Sequence, residues 1–247
     1  MTDRTNGRGR ARLRRSLVAT AVAVPAVMAL APALAGAAPL IAADAICVRP
    51  VQTPQGGLSA PPLTVTGSGF GPGANVTLRR GARSISGVAN PDGTISATLS
   101  VLDLLTGTKP LSRPFTVVAE DAGGAGGNPP AQGVSNEIRL RAAPLAFSAS
   151  PKRAKPSAQV TFKLSGFEPG RVIYAHYRLN GRVRANVAFG RASNPCGLLT
   201  ARRRQIPVPN PATGLWRVQF DHNKKFSAKA TPRLSASINV FRTIVRR

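Results

Sequence analysis

The chain has 247 residues, with 34 Lys and Arg, nine Asp and Glu and two His, and its formal net charge is +25 at pH 7. So few carboxylates and imidazoles leave little for acid–base catalysis, and the two cysteines and two histidines lack the spacing of a zinc site. We therefore predict no enzymatic activity, no cofactor and no metal. An enzyme of unfamiliar type is the alternative, and it would need polar residues that converge in one cleft.

The first 37 residues have the pattern of an export signal. Residues 1–15 contain six arginines and one aspartate, residues 16–43 contain no charge, and A-x-A sites end at Ala35 and Ala37. The uncharged run is long enough to span a bilayer, so an uncleaved anchor is the alternative, although Pro25 and Pro32 favour cleavage. We predict a signal peptide at 1–37, a secreted, extracellular or cell-envelope location, and no membrane span in the mature chain.

Short segments with apolar residues at every second position follow, and they predict β-strands. In the first half these segments lie at 62–68, 75–78, 95–101, 115–120 and 135–141, with the turn sequence NPDG at 90–93. In the second half, Asn180-Gly181 joins two alternating segments and predicts a hairpin. The second of these segments places Val183, Ala185, Val187 and Phe189 on one face.

One glycine-rich turn occurs twice, as SGFGPG at 68–73 and SGFEPG at 165–170. A phosphate-binding loop opens a helix, whereas a strand follows each of these turns, and neither contains Gly-Lys-Ser/Thr. We predict structural turns in which glycine permits positive φ, proline stiffens the chain and phenylalanine packs on the core. The residues of these turns are Gly69, Phe70, Pro72, Gly73, Gly166, Phe167, Pro169 and Gly170.

The repeat divides the mature chain into two units, at 38–142 and 143–247, each with the strand and turn spacing of a β-sandwich. The predicted fold is all-β, with two tandem immunoglobulin-like sandwich domains after the signal peptide. The segment from Pro62 to Leu78, with G-x-G-F-x-P-G between two strands, resembles immunoglobulin-like domains of the IPT/TIG type found in bacterial surface proteins.

The second unit, with VTFKLSGFEPG, IYAHYR, NPCG and GLWRVQFDHNKKFS, resembles the C-terminal part of uncharacterised secreted proteins of high-GC actinobacteria. A fainter likeness connects the strand-turn-strand opening with the small actinobacterial apoproteins that carry enediyne chromophores. Those proteins have disulfides within one domain, which two distant cysteines cannot reproduce. Both resemblances imply an immunoglobulin-like fold, and they do not imply a particular ligand.

Cys47 and Cys196 are the two cysteines of a chain that we expect to be exported. Because extracellular compartments are oxidising, we predict a disulfide between them. It would close a loop of about 150 residues, which constrains the unfolded chain by roughly 5 kcal/mol in the chain-entropy treatment.

The positive charge is divided unevenly. Residues 45–142 contain eight basic and five acidic residues, a net charge of +3, whereas residues 143–247 contain twenty and two, a net charge of +18. A field of one sign attracts polyanions, so we predict a non-enzymatic binding or structural module of the cell envelope. Its partner would be an anionic cell-surface polymer or another envelope protein, without specific binding of nucleic acid. The alternative is that the positive charge reflects the composition of a GC-rich genome and has no function, because 27 of the 34 basic residues are arginine.

The strand at 171–178 supplies the candidate ligand-binding residues. Tyr174, His176 and Arg178 alternate with Ile173, Ala175 and Tyr177, so if the second set packs the core the first faces solvent. Arg182 and Arg184 follow on the partner strand and would extend a polar stripe suited to sugars, phosphates or carboxylates. The alternative is an ordinary solvated sheet face. A second functional alternative is a small-molecule carrier that uses the open end of the second sandwich.

Overall fold

Alternating apolar side chains form β-strands through both halves of the chain. The computed structural model describes residues 38–53, 55–124, 133–152 and 154–241. The predicted signal peptide and the basic pair Arg246-Arg247 lie outside the described residues. The elements of the first half, in chain order, are β1 (Leu40–Ala43), β2 (Cys47–Val48), β3 (Val51–Gln52), β4 (Leu58–Ser59), β5 (Leu63–Ser68), β6 (Asn75–Arg80), β7 (Arg83–Val88), β8 (Ile95–Leu99), the one-turn helix α1 (Leu102–Leu105), β9 (Arg113–Asp121), β10 (Gly133–Val134) and β11 (Ile138–Ala142).

Two sheets enclose the core of the first half. One has the order β1-β5-β8, and the other has the order β2-β11-β9-β6-β7, with β10 paired to β9. The pairing is antiparallel except between β2 and β11. Inward-facing residues such as Val65 on β5 and Leu78 on β6 are buried in one cluster, so the two sheets pack face to face. The strands β3 and β4 form a separate two-stranded ribbon.

The second half repeats this arrangement. Its strands are β12 (Ala146–Ser150), β13 (Gln159–Ser165), β14 (Val172–Leu179), β15 (Arg182–Arg191), β16 (Leu199–Arg204), β17 (Gly214–Asp221) and β18 (Leu234–Val240). A three-stranded sheet β12-β13-β16 faces a four-stranded antiparallel sheet β15-β14-β17-β18, and a second hydrophobic cluster lies between them. Three strands facing four is the arrangement of immunoglobulin-like sandwiches. The predicted all-β fold is confirmed, and the position proposed as the domain boundary falls between β11 and β12.

The repeated turns occupy corresponding places in the two sandwiches. Phe70 and Phe167 are buried in the first and the second core. Gly93 has φ of +74°, and a Cβ there would lie 2.5 Å from the carbonyl oxygen of Phe70. Gly197 has φ of +63°, and a Cβ there would overlap the carbonyl oxygen of Phe167. These glycines end NPDG at 90–93 and NPCG at 194–197, so a second motif, N-P-x-G, repeats together with the first.

A β-bulge changes the face of β15. The register between β14 and β15 shifts between Tyr177 and Arg178, so that Tyr177 pairs with Ala185 and Arg178 pairs with Val183. The expectation that Val183 shares a face with Ala185 is therefore wrong, because an extra residue turns Val183 to the outer side, where it is 40% exposed.

Candidate functional site

Arginines line the side of the second sandwich where the edge strands β15 and β16 meet. Neither strand contains an acidic residue, and the arginines are exposed. Arg202 and Arg204 pair with the β13 residues Thr161 and Gln159, whereas Arg203 pairs with the buried Val160. We call this surface the arginine edge, and its members are Arg182, Arg184, Arg191, Arg202, Arg203 and Arg204.

The arginine edge contains a hollow of about 290 Å³ between the two sheets. Arg203 is fixed across the gap, because its Nη2 donates to the carbonyl oxygen of Phe189 on β15 at 3.1 Å. Tyr177 also lines the hollow, and its ring is buried in the core. The other lining residues are Gln159, Val187, Phe189, Arg202, Arg204 and Pro207.

The acidic residues of the second sandwich do not neutralise this surface. Among residues 143–247 only Glu168 and Asp221 are acidic. The Glu168 carboxylate pairs with Arg171 at 2.7 Å, and that pairing holds the pKa of the carboxyl below its usual value. Asp221 is completely buried. The exposed arginines therefore present an almost uncompensated positive field.

A second cationic feature lies on the outer face of the four-stranded sheet. Arg178 pairs in register with Arg217 on β17, and the Arg178 guanidinium stacks over the ring of Phe226 at 4.4 Å. Two small hollows flank this pair of arginines, one on the side of Ser235 and Ser237, and both are lined by the two arginine side chains.

His176 is the centre of a buried polar network on that face. Its Nδ1 lies 2.6 Å from Oδ1 of Asn186, and its Nε2 lies 3.2 Å from Oδ1 of Asp221. Both partners are acceptor oxygens, so this arrangement favours the imidazolium form, in which both ring nitrogens donate. Burial acts to lower the pKa of His176, but the hydrogen bonds with Asp221 and Asn186 outweigh it, and the pKa is raised above the ordinary value.

Asp221 receives two further hydrogen bonds that complete the network. The backbone N–H of Asn223 donates to its Oδ1 at 2.7 Å, and Nε2 of Gln219 donates to its Oδ2 at 2.7 Å. The same Gln219 nitrogen also donates to the carbonyl oxygen of Ser227. The loop between β17 and β18 is thereby held over His176, and Phe226 from this loop packs edge-on against the imidazole.

His222 has the opposite protonation state. Its Nδ1 donates to the carbonyl oxygen of Val172 at 2.9 Å, while its Nε2 accepts from the backbone N–H of Glu168 at 3.2 Å. One donor and one acceptor define a neutral imidazole, and burial lowers the pKa of His222. The ring packs edge-on against Phe167, so this histidine supports the repeated turn.

An apolar cleft opens at the other side of the second sandwich, between the edge strands β12 and β18. It has a volume of about 630 Å³. Phe147, Phe162 and Phe220 line it, and the Phe147 and Phe220 ring centroids lie 5.9 Å apart. Lys109 from the first half and Lys152 also line the cleft.

Cys47 and Cys196 form the predicted disulfide, with Cα atoms 5.4 Å apart. The bond joins β2 of the first sandwich to the NPCG turn of the second. Beside it, Nη1 of Arg49 donates to the carbonyl oxygen of Phe167 at 2.9 Å. Burial lowers the pKa of Arg49. Covalent and polar contacts therefore connect the two sandwiches at the second copy of the turn.

The structure separates the predicted ligand-binding residues. His176 is fully buried, so the expectation that it faces solvent is wrong, because the β17–β18 loop covers it. Arg182 pairs with Leu179, on the opposite face from Arg178, and Arg184 is the extra residue of the bulge. Tyr174 is partly buried and pairs with Ala188 on β15.

The alternation on β14 correctly placed Ile173, Ala175 and Tyr177 in the core. It missed Asp221, Asn186 and Gln219, which complete the histidine network from other strands. Those partners become visible only when the strand register is known, since Gln219 lies opposite His176 and Asp221 lies diagonal to it.

Within the described residues, no group of three or more His, Cys, Asp or Glu side chains could hold a metal ion. The part of the chain that the structure describes also has no helix long and apolar enough to cross a membrane.

No protein-family model matches the chain, and no curated protein sequence matches it. Among solved structures, it is similar to the human OSCAR ligand-binding domain, at 10% identity and a TM-score of 0.33, over 83% of this chain and 99% of that one. A tetra-tandem repeat from the extending region of a large adhesion protein is 13% identical, with a TM-score of 0.26, over 82% of this chain and 48% of that one. Red sea bream transglutaminase is 13% identical, with a TM-score of 0.28, over 84% of this chain and 32% of that one. At TM-scores below 0.5 these likenesses carry no argument about the fold or the function.

Proposed function

We propose that the protein is an exported, non-enzymatic binding module of the cell envelope whose second sandwich binds an anionic polymer. The observation that carries this proposal is the arginine edge, where six exposed arginines lie along two strands that contain no carboxylate. Arginine suits this role because its planar guanidinium binds phosphate, sulfate and carboxylate groups with two parallel hydrogen bonds. The first sandwich, with its smaller net charge, serves as a spacer or contacts another envelope protein.

The proposal is tested with polyphosphate and with a sulfated glycan, each titrated at several salt concentrations. Counterion release makes the logarithm of the affinity fall linearly with the logarithm of the salt concentration. In the triple variant R182Q/R202Q/R204Q we expect a shallower slope, by about 0.7 to 0.9 for each lost phosphate contact. Within the described residues none of these three arginines forms an ion pair, so their loss leaves no carboxylate unpaired.

The matched control is K224Q/K225Q/K229Q, which removes the same charge from the exposed β17–β18 loop. We expect a smaller change of slope in this variant. Equal slopes in the two triple variants would assign the binding to total charge rather than to the arginine edge. A wild-type protein that binds neither polymer at low salt would contradict the proposed function.

The apolar cleft favours a second candidate function, a carrier of an amphipathic carboxylate such as a fatty acid. Its volume of about 630 Å³ lies within the usual range for ligand sites, about 300 to 1,000 Å³. The phenylalanine rings would bury the acyl chain, and Lys109 and Lys152 would pair with the carboxylate.

A fluorescent fatty acid tests the carrier hypothesis. Ala149 lines the cleft and pairs in register with Phe162, so A149L would fill part of the space, and we expect it to weaken binding about tenfold, which is 1.4 kcal/mol. Ala188 is exposed on β15, and A188L is the control. If wild-type protein does not bind the fatty acid, the carrier hypothesis is wrong.

A further inference from the structure

Two arginines face each other across neighbouring strands on the outer side of the four-stranded sheet. Arg178 on β14 is in register with Arg217 on β17, and Arg217 is in register with Ser237 on β18. Like charges directly opposite each other on two strands destabilise a sheet. Neither arginine forms an ion pair within the described residues, so the fold brings two positive charges together without a counter-charge.

Asp221 does not supply that counter-charge. It is the one acidic residue on the four strands of this sheet, and it is completely buried. Its carboxylate oxygens already accept hydrogen bonds from His176, Gln219 and Asn223. No carboxylate lines either of the two hollows beside the arginine pair. The negative charge that would relieve the repulsion must therefore come from solution.

The hollow on the side of β18 adds polar groups to the two guanidinium groups. It has a volume of about 310 Å³, and its lining consists of Arg178, Arg217, Val218, Gln219, Ser235, Ala236 and Ser237. Strand alternation turns Arg217, Ser235 and Ser237 outward, and all three are exposed. Nε2 of Gln219 is already bound within the fold. The groups that a ligand can reach are thus the arginines and the two serine hydroxyls.

Arg178 is positioned before any ligand binds. Its guanidinium stacks over the ring of Phe226 at 4.4 Å, and its Nη2 donates to the carbonyl oxygen of Gly181 at 3.3 Å. Fixing a side chain in advance reduces the entropy lost when a ligand binds. Arg217 is exposed, so its guanidinium can align on a group that Arg178 already holds.

We propose that Arg178 and Arg217, with the hydroxyls of Ser235 and Ser237, form a binding site for the dianionic phosphate group of a phosphate monoester. Two adjacent positive charges favour a dianion, since a monoanion would leave one of them unpaired. Guanidinium groups bind phosphate through two parallel hydrogen bonds, and serine hydroxyls can donate to the remaining oxygens. A volume near the lower end of the range for ligand sites suits a phosphate group with part of the unit that carries it.

The deciding variant is R217Q, and its matched control is R182Q. Both arginines are exposed and form no ion pair within the described residues, so each change removes one charge and leaves no carboxylate unpaired. Calorimetry with glucose 1-phosphate at about pH 8, where a phosphate monoester is a dianion, gives the affinity. We expect R217Q to bind at least about tenfold more weakly than wild type, because hydrogen bonds to a charged group are lost. R182Q should keep the wild-type affinity.

Thermal unfolding of the same samples checks the reason for the site. Because R217Q removes a repulsion between like charges, its Tm should equal or exceed that of wild type. A clear fall in its Tm would mean that Arg217 has a structural partner, and it would overturn the argument. Wild-type protein without affinity for glucose 1-phosphate would also overturn the site, and so would equal weakening in R217Q and R182Q, which would assign the binding to total charge.

Two further measurements define the ligand and its location. Dimethyl phosphate carries one negative charge on the same tetrahedral group, and if it binds as tightly as glucose 1-phosphate the preference for a monoester is wrong. An NMR titration of wild-type protein does not depend on any variant. Glucose 1-phosphate should shift the backbone amide signals of residues 217 and 235–237, whereas shifts confined to residues 199–204 would overturn this site.

The site lies outside the arginine edge, and it does not rest on the proposed function. If wild-type protein binds no polymer but binds glucose 1-phosphate in a manner that depends on Arg217, the phosphate site stands and the proposed polymer is wrong. Polymer binding through the arginine edge without any affinity for glucose 1-phosphate would have the opposite meaning, and it would remove the phosphate site.

Discussion

The buried pair of His176 and Asp221 predicts a large loss of stability when the carboxylate is removed. In D221N the imidazolium loses its counter-ion in a position where both residues are completely buried. Breaking a buried ion pair by removing one partner costs about 3–5 kcal/mol. The asparagine would also place an amide group against Nε2 of Gln219, which now donates to the carboxylate at 2.7 Å. We therefore expect a decrease of about 3–5 kcal/mol in the free energy of unfolding near pH 6.

The same pair predicts the pH dependence of this loss. The pKa of His176 is raised in the folded protein, so its contribution to stability is complete below the ordinary value of about 6.5. The contribution is lost as the pH rises through the folded-state pKa. The difference between wild type and D221N should therefore be largest in mild acid and shrink in alkali. The lowered pKa of His222 acts in the opposite direction, but it is common to both proteins and largely cancels in the difference.

Urea unfolding of both proteins from about pH 5.5 to about pH 9 covers this range. The control is E168Q, which removes the other carboxylate of the second half from an exposed ion pair, where the expected cost is about 0–1 kcal/mol. The reasoning would be refuted by a D221N penalty no larger than that of E168Q, or by a penalty that does not change with pH.

Two further changes test how the sandwiches are built and joined. The double variant C47S/C196S should lose up to about 5 kcal/mol of stability in the chain-entropy treatment of a 150-residue loop, and reduction of wild type should give the same shift in Tm. Equal Tm values for the oxidised and reduced protein would contradict the expected stabilisation by the disulfide. G197A should be much less stable than G170A, because both glycines have positive φ but only at Gly197 would a Cβ overlap a backbone oxygen. Equal denaturation midpoints for these two variants would contradict a packing role of the second N-P-x-G turn.

Periodicity and turn chemistry were sufficient to predict the all-β fold. Alternation identifies β13 and β14 because one face of each strand packs the core, as with Phe162 and Ile173. The disulfide was predicted from the expected export and from the presence of two cysteines, and the structure confirms it. The N-P-x-G repeat is also visible in the sequence as NPDG and NPCG, and the close approach of each glycine to a phenylalanine carbonyl explains why glycine ends both copies.

The polar sites could not be predicted in the same way, because each depends on a register or a loop path that alternation does not define. One bulge after Tyr177 moves Val183 to the outer face and separates Arg182 from Arg178. His176 occupies an outward position on its strand, yet a loop twelve residues long, at 222–233, crosses over it.

The two copies of the turn use different acceptors for the same backbone amide. In the first sandwich, Asp121 at the end of β9 accepts from the turn amide of Gly71 at 2.9 Å and from Gly123 at 2.7 Å. In the second, the corresponding turn amide belongs to Glu168 and donates to His222 instead. His222 therefore takes the place of Asp121, whereas Asp221, which lies opposite Tyr174, matches Glu120, which lies opposite Thr77.

His176 and Asp221 thus occupy the register positions that Arg79 and Glu120 have in the first sandwich, and in the second sandwich Phe226 of the β17–β18 loop packs against the His176 ring. In the first sandwich, Arg79, the residue that corresponds to His176, is exposed and pairs with Glu120 at 2.8 Å. Acidic residues in the first copy pair with arginines and support the turn, whereas in the second copy Glu168 pairs with Arg171 and Asp221 is buried against His176. The arginines of the arginine edge form no ion pair within the described residues, so the proposed anionic polymer would supply their negative partners.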